Sequence, residues 1–351
     1  MAGDPIVLAE SNNATYNHCE GLLVQLNPIR LGNHEFEGKN NAYLLESAGA
    51  TALIDTGIHR PDIHQQLRDG LAEHDRSITD LDHIVLTHHH VDHTGLAGPL
   101  SAESGATVYV HRTDAPLVRR HDDALDAYEQ LQERRFEEWH MPPDKRAELR
   151  AFFDQVPPVE PPERVVELGD GDELELGDVS LHARHAPGHT AGHCTFEFTH
   201  DGSLECFVGD VVLPVYTPNV GGADLRLEHA LAHYLETLRE IVEREYDRAW
   251  PGHREVIEDP AGRAETIIAH HHERTENVID VLDTESALSA WEVSAELFGS
   301  LEAIHILHGP GEAYSHLEHL VDNDAVERID DGYRLLDETV DLDAVLATPV
   351  R

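Results

Sequence analysis

The 351-residue sequence predicts a mixed α/β fold with two sheets, a helical insertion between them and a small unit of helices and a hairpin at its C-terminal end. Three observations predict it. Short apolar or alternating runs bounded by turn formers recur in two blocks, 22–110 and 173–208, where strands are expected. Between the blocks, residues 112–162 turn rich in Glu, Arg, Gln and Ala and break at proline pairs. Beyond residue 226 apolar residues return at helical spacing, and two short strand-like runs follow near the end. The length suits one large catalytic-size domain plus something smaller, and 40% apolar residues suffice for a sizeable core.

In the first block Leu22–Leu26, Ala42–Leu45, Ala52–Asp55, His83–Leu86 and Thr107–Val110 are expected strands. Pro61–His74 and Leu96–Ser104 carry helical spacing, and Pro61 is placed for a first helical turn. The insertion breaks at Pro142-Pro143, Pro157-Pro158 and Pro161-Pro162 and is expected to be helical, as a lid would be. In the second block Glu173–Leu176, Val179–His185, His193–Phe198 and Glu205–Val208 imply a second sheet. There Thr195 and Glu197 alternate with Phe196 and Phe198, as in a half-buried strand. Helices are expected at Glu228–Glu245 and Ala261–Leu282, the latter long enough at about 1.5 Å per residue to bridge two domains. Helices at Leu288–Phe298 and Ala313–Leu320 then precede Val326–Ile329, the turn Asp330-Asp331-Gly332, and Tyr333–Leu336. That order suggests a small winged-helix-like domain. The expected division is therefore a large domain over 1–265 containing the insertion 112–162, a linker helix over 266–283, and the winged-helix-like domain over 284–351.

Lys and Arg number 25 against 68 Asp and Glu, a net charge of −43. This excludes the ordinary net-basic solution to nucleic-acid binding and argues against docking on anionic lipid. The acid is spread along the chain, and Lys39 and Lys145 are its only lysines. Such a composition resembles that of halophilic proteins, which work in concentrated salt, where the Debye length shrinks to about 3 Å at 1 M. Charge then says little about partners. Cys19, Cys194 and Cys206 form no C-x-x-C pair and leave one odd thiol, so neither a disulfide scaffold nor a thiolate zinc site is indicated. No export signal follows Met1-Ala2-Gly3-Asp4, and no membrane-length apolar run occurs, so a reducing cytoplasm is expected.

The segment Thr87-His88-His89-His90-Val91-Asp92-His93-Thr94-Gly95 follows an expected strand. Alternate residues of an extended segment share a side, so His88 and His90 can reach one ion, while Asp92 and His93, after the turn, can face a second. A solvated histidine run is the bland alternative. It does not stand alone, however: Pro187-Gly188-His189-Thr190, Gly209-Asp210 and Trp250-Pro251-Gly252-His253 each deliver one His or Asp on a glycine turn at a strand end.

With H-x-H-x-D-H, G-H-T, G-D and P-G-H in this order, residues 20–260 resemble the metallo-β-lactamase superfamily. The resemblance implies an αββα sandwich with a metal site at one edge of the two sheets. It implies one ion held by His88, His90 and His189 and another by Asp92, His93 and His253, with Asp210 bridging them. Asp55, in Ile54-Asp55-Thr56-Gly57, matches a supporting aspartate. Two divalent ions about 3.5–4 Å apart can share a water, lower its pKa from 15.7 towards about 7, and present hydroxide to a carbonyl or phosphoryl centre. Zinc is the first choice, with manganese or iron as alternatives, and Asp92 would orient the hydroxide or relay its proton. Cys194 is expected as a buried small hydrophobe.

Aspartate at Asp210 stands where true zinc β-lactamases have cysteine, and His90 departs from the glutamate of the di-iron redox members. The complete second-metal set argues against mononuclear dioxygenases. Hydrolysis of a small-molecule thioester, ester or lactone, as in the glyoxalase II branch, is the resulting expectation. The alternative is a phosphodiesterase or ribonuclease, because relatives with a C-terminal winged helix include RNA-cutting enzymes. A third class, a metal-sensing DNA-binding protein, is disfavoured because Arg328, Arg334 and Arg351 stand amid many acids. The tail is instead expected to close the pocket or to form a homodimer. Tyr216 and Asn219, in the loop after Asp210, are substrate-binding candidates with turn formation as the alternative. His193 either lines the pocket or is structural. Tyr128, Phe136, Trp139, Phe152 and Phe153 either cover a cleft or form the insertion's own core. His89 is expected beside the site, while His270-His271-His272, His305 and His308 are expected to be bland.

Overall fold

Strands in which successive residues face two different apolar layers must be covered on both sides, and the second and third strands of this chain show that pattern. Leu44 and Leu53 belong to one buried cluster, whereas Tyr43, Leu45 and Ile54 belong to another. A computed structural model of the protein describes residues 24–33, 38–284, 286–329, 332–336 and 340–347. Cys19, Leu22, the turn residues Asp330 and Asp331, and Arg351 lie outside the described residues.

The first sheet contains β1 (Gln25–Arg30), β2 (Asn41–Ser47), β3 (Ala50–Ile54), β4 (His83–Val85), β5 (Thr107–His111) and β6 (Val165–Leu168), side by side in that order. β1 to β3 are antiparallel, and β3 to β6 run parallel. Parallel neighbours need crossovers. These are α1 (Pro61–Ala72), then α2 (Val91–Thr94) with α3 (Ala97–Ser104), then the insertion helices α4 (Ala115–Val118), α5 (Asp122–Glu138) and α6 (Pro143–Phe153). The second sheet holds β7 (Glu173–Leu176), β8 (Val179–His185), β9 (Cys194–His200), β10 (Ser203–Gly209) and β11 (Arg248–Pro251) in the spatial order β11-β10-β9-β8-β7. Helix α7 (Ala230–Arg244) connects the parallel pair β10 and β11, and α8 (Pro260–Leu282) follows.

Between the sheets, Tyr43, Leu45, Ile54 and Val85 meet Leu181, Phe196, Phe198 and Phe207. On the outer face of the first sheet Leu53, Ile84 and Val108 pack on Ile63, Leu67 and Leu100. On that of the second, Cys206, Val208 and Ala249 pack on Leu235, Leu238 and Ile267. The result is the four-layer αββα sandwich. Cys194 is a free, fully buried member of the inter-sheet core, and burial pushes its thiol up. Strand β6 was not expected, because its four residues directly follow the proline-rich end of the insertion and only pairing with β5 defines them.

Beyond α8 come α9 (Ala290–Phe298), α10 (His305–Asp322), the hairpin β12 (Val326–Ile329) with β13 (Gly332–Leu335), and α11 (Leu342–Leu346). Ser289 and Glu292 cap α9 reciprocally, a pattern legible in sequence. Helix α10 starts eight residues before the expected Ala313, and it runs through Pro310. Close packing holds a turn that proline alone would break: a Cβ on Gly311 would lie 2.3 Å from Gly222 Cα. The tail therefore rests directly on the loop that follows Asp210.

A fourth core joins what the sequence separates. Phe136, Trp139, Met141 and Leu149 of the insertion pack with Val278 and Leu282 of α8 and with Val293, Leu317, Leu320, Val326 and Tyr333 of the tail. The Trp291 N–H donates to the Trp139 carbonyl at 3.0 Å, stitching α9 to the insertion. No helix among the described residues is long and apolar enough to cross a membrane. Trp139 is fully buried, so Trp139→Ala is predicted to cost about 3–5 kcal/mol. Because the core is shared, amide exchange should accelerate in both α5 and α10; acceleration confined to α5 would contradict a common core.

Candidate metal centre

Strand β4 hands the chain to the His88–His93 segment, and the loops after β8, β10 and β11 carry His189, Asp210 and His253 to the same edge of the sandwich. His88, His90 and His189 form one group whose ligand atoms lie within 4.8 Å of one another; Asp92, His93 and His253 form another; and Asp210 groups with His88 and His93. All seven residues that the sequence proposed as ligands are brought together.

Hydrogen bonds on the far side of each ring fix its free nitrogen. A carbonyl can only accept, so His90 donates from Nε2 to Ala223 O at 2.9 Å, His189 from Nδ1 to Asn219 O at 3.0 Å, and His253 from Nδ1 to Gly38 O at 2.8 Å. His93 Nδ1 meets Asp55 Oδ2 at 2.9 Å. Thr87 Oγ1 donates to the other side of the same network, Asp55 Oδ2 at 2.8 Å, and so accepts from His88 Nδ1 at 3.0 Å. The remaining nitrogens of His88, His90 and His189 carry lone pairs turned inward. His90 Nδ1 lies 3.0 Å from His88 Nε2 and 3.1 Å from His189 Nε2. With no proton left to share, such lone pairs repel unless a cation sits among them. The spacings approach the edge of about 3.3 Å expected for a tetrahedron with Zn–N arms of about 2.0 Å.

The second group lacks partners in a different way. His93 Nε2, His253 Nε2 and Asp210 Oδ1 are buried without a hydrogen-bond partner. Asp210 Oδ2 stands 3.2 Å from His253 Nε2, 3.5 Å from His93 Nε2 and 3.7 Å from His189 Nε2, so one carboxylate faces both groups. Unpaired buried polar atoms are costly, and these residues fit a pair of divalent cations. Gly252 is required here by close approach: a Cβ on it would lie 2.2 Å from Asp210 Oδ1 and 2.5 Å from His93 Cε1.

Electrostatics divide the ligands. Burial drives His88 and His90 well below the ordinary imidazole range, reinforced by neighbouring histidines. Burial also lowers His189, with Asp210 opposing. For His93 burial works the same way but is outweighed by Asp210, Asp92 and Asp55, which hold it well above 6.5; Asp210 likewise raises His253. Burial disfavours the Asp210 carboxylate, yet His253 and His93 hold it well below the usual range.

Asp55 lies beside the ligand groups, bonded to Thr87 and His93. Its Oδ1 accepts the Thr87 N–H at 2.9 Å, so one carboxylate aligns both His88 and His93. Asn40 donates to Asp92 Oδ2 at 3.1 Å.

Three residues expected to meet substrate lie elsewhere. His193 is fully buried and its Nε2 accepts the Asp210 N–H at 3.1 Å, so it supports Asp210 from behind. Asn219 spends its amide on His308 O, Glu312 and the Gly222 N–H while its carbonyl holds His189; it is a support. Tyr216 is exposed outside the pocket over the ligands, with the Arg254 guanidinium 4.4 Å above its ring. His271 stacks on His316 inside the α8–α10 contact. His308, expected to be bland, lines the pocket over the ligands.

Sequence reading missed a buried ion network beneath the histidine loops. Arg226 Nη2 donates to Asp114 Oδ1 and to Asp224 Oδ2, both at 2.6 Å. Asp114 Oδ2 accepts the His89 N–H at 3.1 Å, and Asp224 Oδ2 accepts the Ala191 N–H at 2.9 Å. The network thus bolts the His88–His90 segment to the His189 loop. His89, Asp114 and Asp224 also have the spacing of a metal group, but the guanidinium already supplies their cation. Only Asp114, shortly after a strand next to β4, carried a sequence signal.

Asp55→Asn is predicted to weaken metal affinity about 10–100-fold in chelator competition; unchanged affinity would remove its aligning role. Because His93 and His253 are raised above 6.5 without metal, protons must leave when ions enter. Metal uptake at pH 7 should release protons, seen by calorimetry in buffers of differing ionisation enthalpy, and affinity should rise with pH; proton-neutral uptake would contradict the assignment.

Known proteins share this fold. Residues 36–253 match the family model described as the metallo-beta-lactamase superfamily. "Beta-lactamase-like protein 2 homolog" of Drosophila melanogaster is 28% identical over 245 residues, 68% of this chain and 66% of that protein, so the chain spans just under two thirds of it. "Probable metallo-hydrolase YqjP" of Bacillus subtilis is 26% identical over 291 residues, 80% of this chain and 88% of that protein. "Thioesterase pkgB" of Emericella nidulans is 24% identical over 298 residues, 85% of this chain and 67% of that protein. The crystal structure of metallo-beta-lactamase family protein TTHA1429 from Thermus thermophilus aligns with a TM-score of 0.74 at 30% identity, covering 88% of this chain and 97% of that one. With its fold, its histidine and aspartate groups and these relatives, the chain belongs to the metallo-β-lactamase superfamily of metal-binding hydrolases.

Proposed function

We propose that the protein is a binuclear metal-dependent hydrolase of small-molecule thioesters, esters or lactones. The observation that carries this reading is the placement of Asp210 between two ligand groups at the floor of a pocket whose other walls are largely apolar. His88, His90 and His189 would hold one ion and Asp92, His93 and His253 the other, with Asp210 reaching both. Zinc is the first choice for this His and Asp set. When bound, the ions supply Lewis acidity and an activated water.

The chain's own groups do the rest. Asp92 lines the pocket, is steadied by Asn40, and is placed to hold a proton taken from the attacking water. Asp55, Thr87 and the carbonyls of Gly38, Asn219 and Ala223 keep each imidazole in one tautomer through the reaction.

Phosphodiester cleavage is the weaker reading. Among the described residues, Arg120 is the only Arg or Lys on the pocket wall, so no basic track leads a phosphate backbone to the site. The relative named a thioesterase supports acyl chemistry. The tail has the order of a winged helix, but Arg328 pairs with Glu138 at 2.7 Å and Arg334 with Glu327, so these cations are engaged within the protein. We assign the tail to the pocket wall.

Elemental analysis should find close to two transition-metal ions per chain, and His90→Ala should abolish turnover. Assays in molar salt with thioester, phosphodiester and structured-RNA substrates should show acyl hydrolysis. RNA cleavage without ester turnover, or full activity without metal, would overturn the proposal.

A further inference from the structure

We infer that the acyl part of the substrate is an apolar chain, gripped between the insertion on one side and the tail on the other. This rests on the hydrolase reading and names its substrate class. A cavity of about 240 Å³ opens from His90, Asp92, His189 and Asp210. Away from those ligands its wall is built by two helices that are far apart in sequence. Helix α5 turns Leu125 and Tyr128 to it, three residues apart and so on one helical face. The start of α10 turns Ile304 and Leu307 to it with the same spacing. Val118, Phe153, Val156 and Val159 add to the apolar lining, and Arg120 and Gln132 stand on the same wall.

The lining departs from the composition of the chain. Acids make up 68 of 351 residues, about one in five, yet among the described residues the only acids on this wall are the candidate ligands Asp92 and Asp210. Leu125, Phe153 and Ile304 are only partly buried, because the protein itself does not fill the space they face. The two walls cannot drift apart freely, since Phe136 and Trp139 of the insertion share a core with Leu317 and Leu320 of the tail. An apolar slot held open by a shared core is preformed for an apolar guest.

In the reaction, the oxygen of water bonds to the acyl carbon and the C–S bond of a thioester breaks. The thiol departs with one proton, and the acid leaves as carboxylate with the other proton passing to solvent.

The test uses the metal-loaded full chain and N-acetylcysteamine thioesters with acyl chains of two to twelve carbons. Each methylene buried in the slot should raise kcat/KM about fourfold until the slot is filled, after which it should fall. Leu125→Trp on one wall and Ile304→Trp on the other should each lower the octanoyl-to-acetyl ratio at least about tenfold with metal content unchanged. If one variant does not fold, the other still decides. A profile that is flat or falls from acetyl, or ratios unmoved by these substitutions, would overturn the inference. Absence of all turnover of thioesters, esters and lactones would strike the hydrolase reading instead. In that event calorimetry with the carboxylates decides: octanoate binding at least about 100-fold tighter than acetate supports the slot, and equal binding overturns it.

Discussion

One buried carboxylate, Asp210, facing the imidazoles of His93, His189 and His253 at once is the constraint on which the rest of this structure depends. Such an arrangement is costly in an empty protein, because His93, His253 and Asp210 each bury an atom with no hydrogen-bond partner. The surrounding structure supplies the rigidity that holds it. Strands of two sheets end at one edge, Gly252 lets two chains approach, and His193 pins the Asp210 backbone from behind. Ions that bind only the folded state would offset the deficit and couple metal uptake to stability.

The division of proton affinities follows from the same geometry. His88 and His90 sit among imidazoles and stay neutral, ready to ligate. His93 and His253 sit against carboxylates and hold protons that a cation must displace. The two halves of the site are thus chemically unequal before any ion arrives. The floor of the pocket is strongly polar, and most of its wall is apolar.

The centre was legible in the sequence because its signals are local. Ligand residue types, glycine turns and strand ends lie within a few positions of each other in Thr87–Gly95, Gly188-His189, Gly209-Asp210 and Gly252-His253. The sandwich was legible for a similar reason, since two-fold alternation marks strands wherever they pair. What escaped were long-range partnerships. Nothing near Arg226 announces that Asp114 waits 112 positions earlier, and nothing near Trp139 announces Trp291. Tyr216 and Asn219 follow Asp210 closely in sequence, but the loop carries Tyr216 out of the pocket and uses the Asn219 amide to hold the tail. The expected helix at Ala313–Leu320 also began too late: α10 runs through Pro310, where Gly311 packs closely on Gly222.

Anomalous diffraction from crystals of the metal-loaded protein tests the central claim most directly. The account predicts two peaks about 3.5–4 Å apart, one among His88, His90 and His189, one among Asp92, His93 and His253, with Asp210 reaching both. A single peak at full occupancy, or a pair that Asp210 does not bridge, would contradict it.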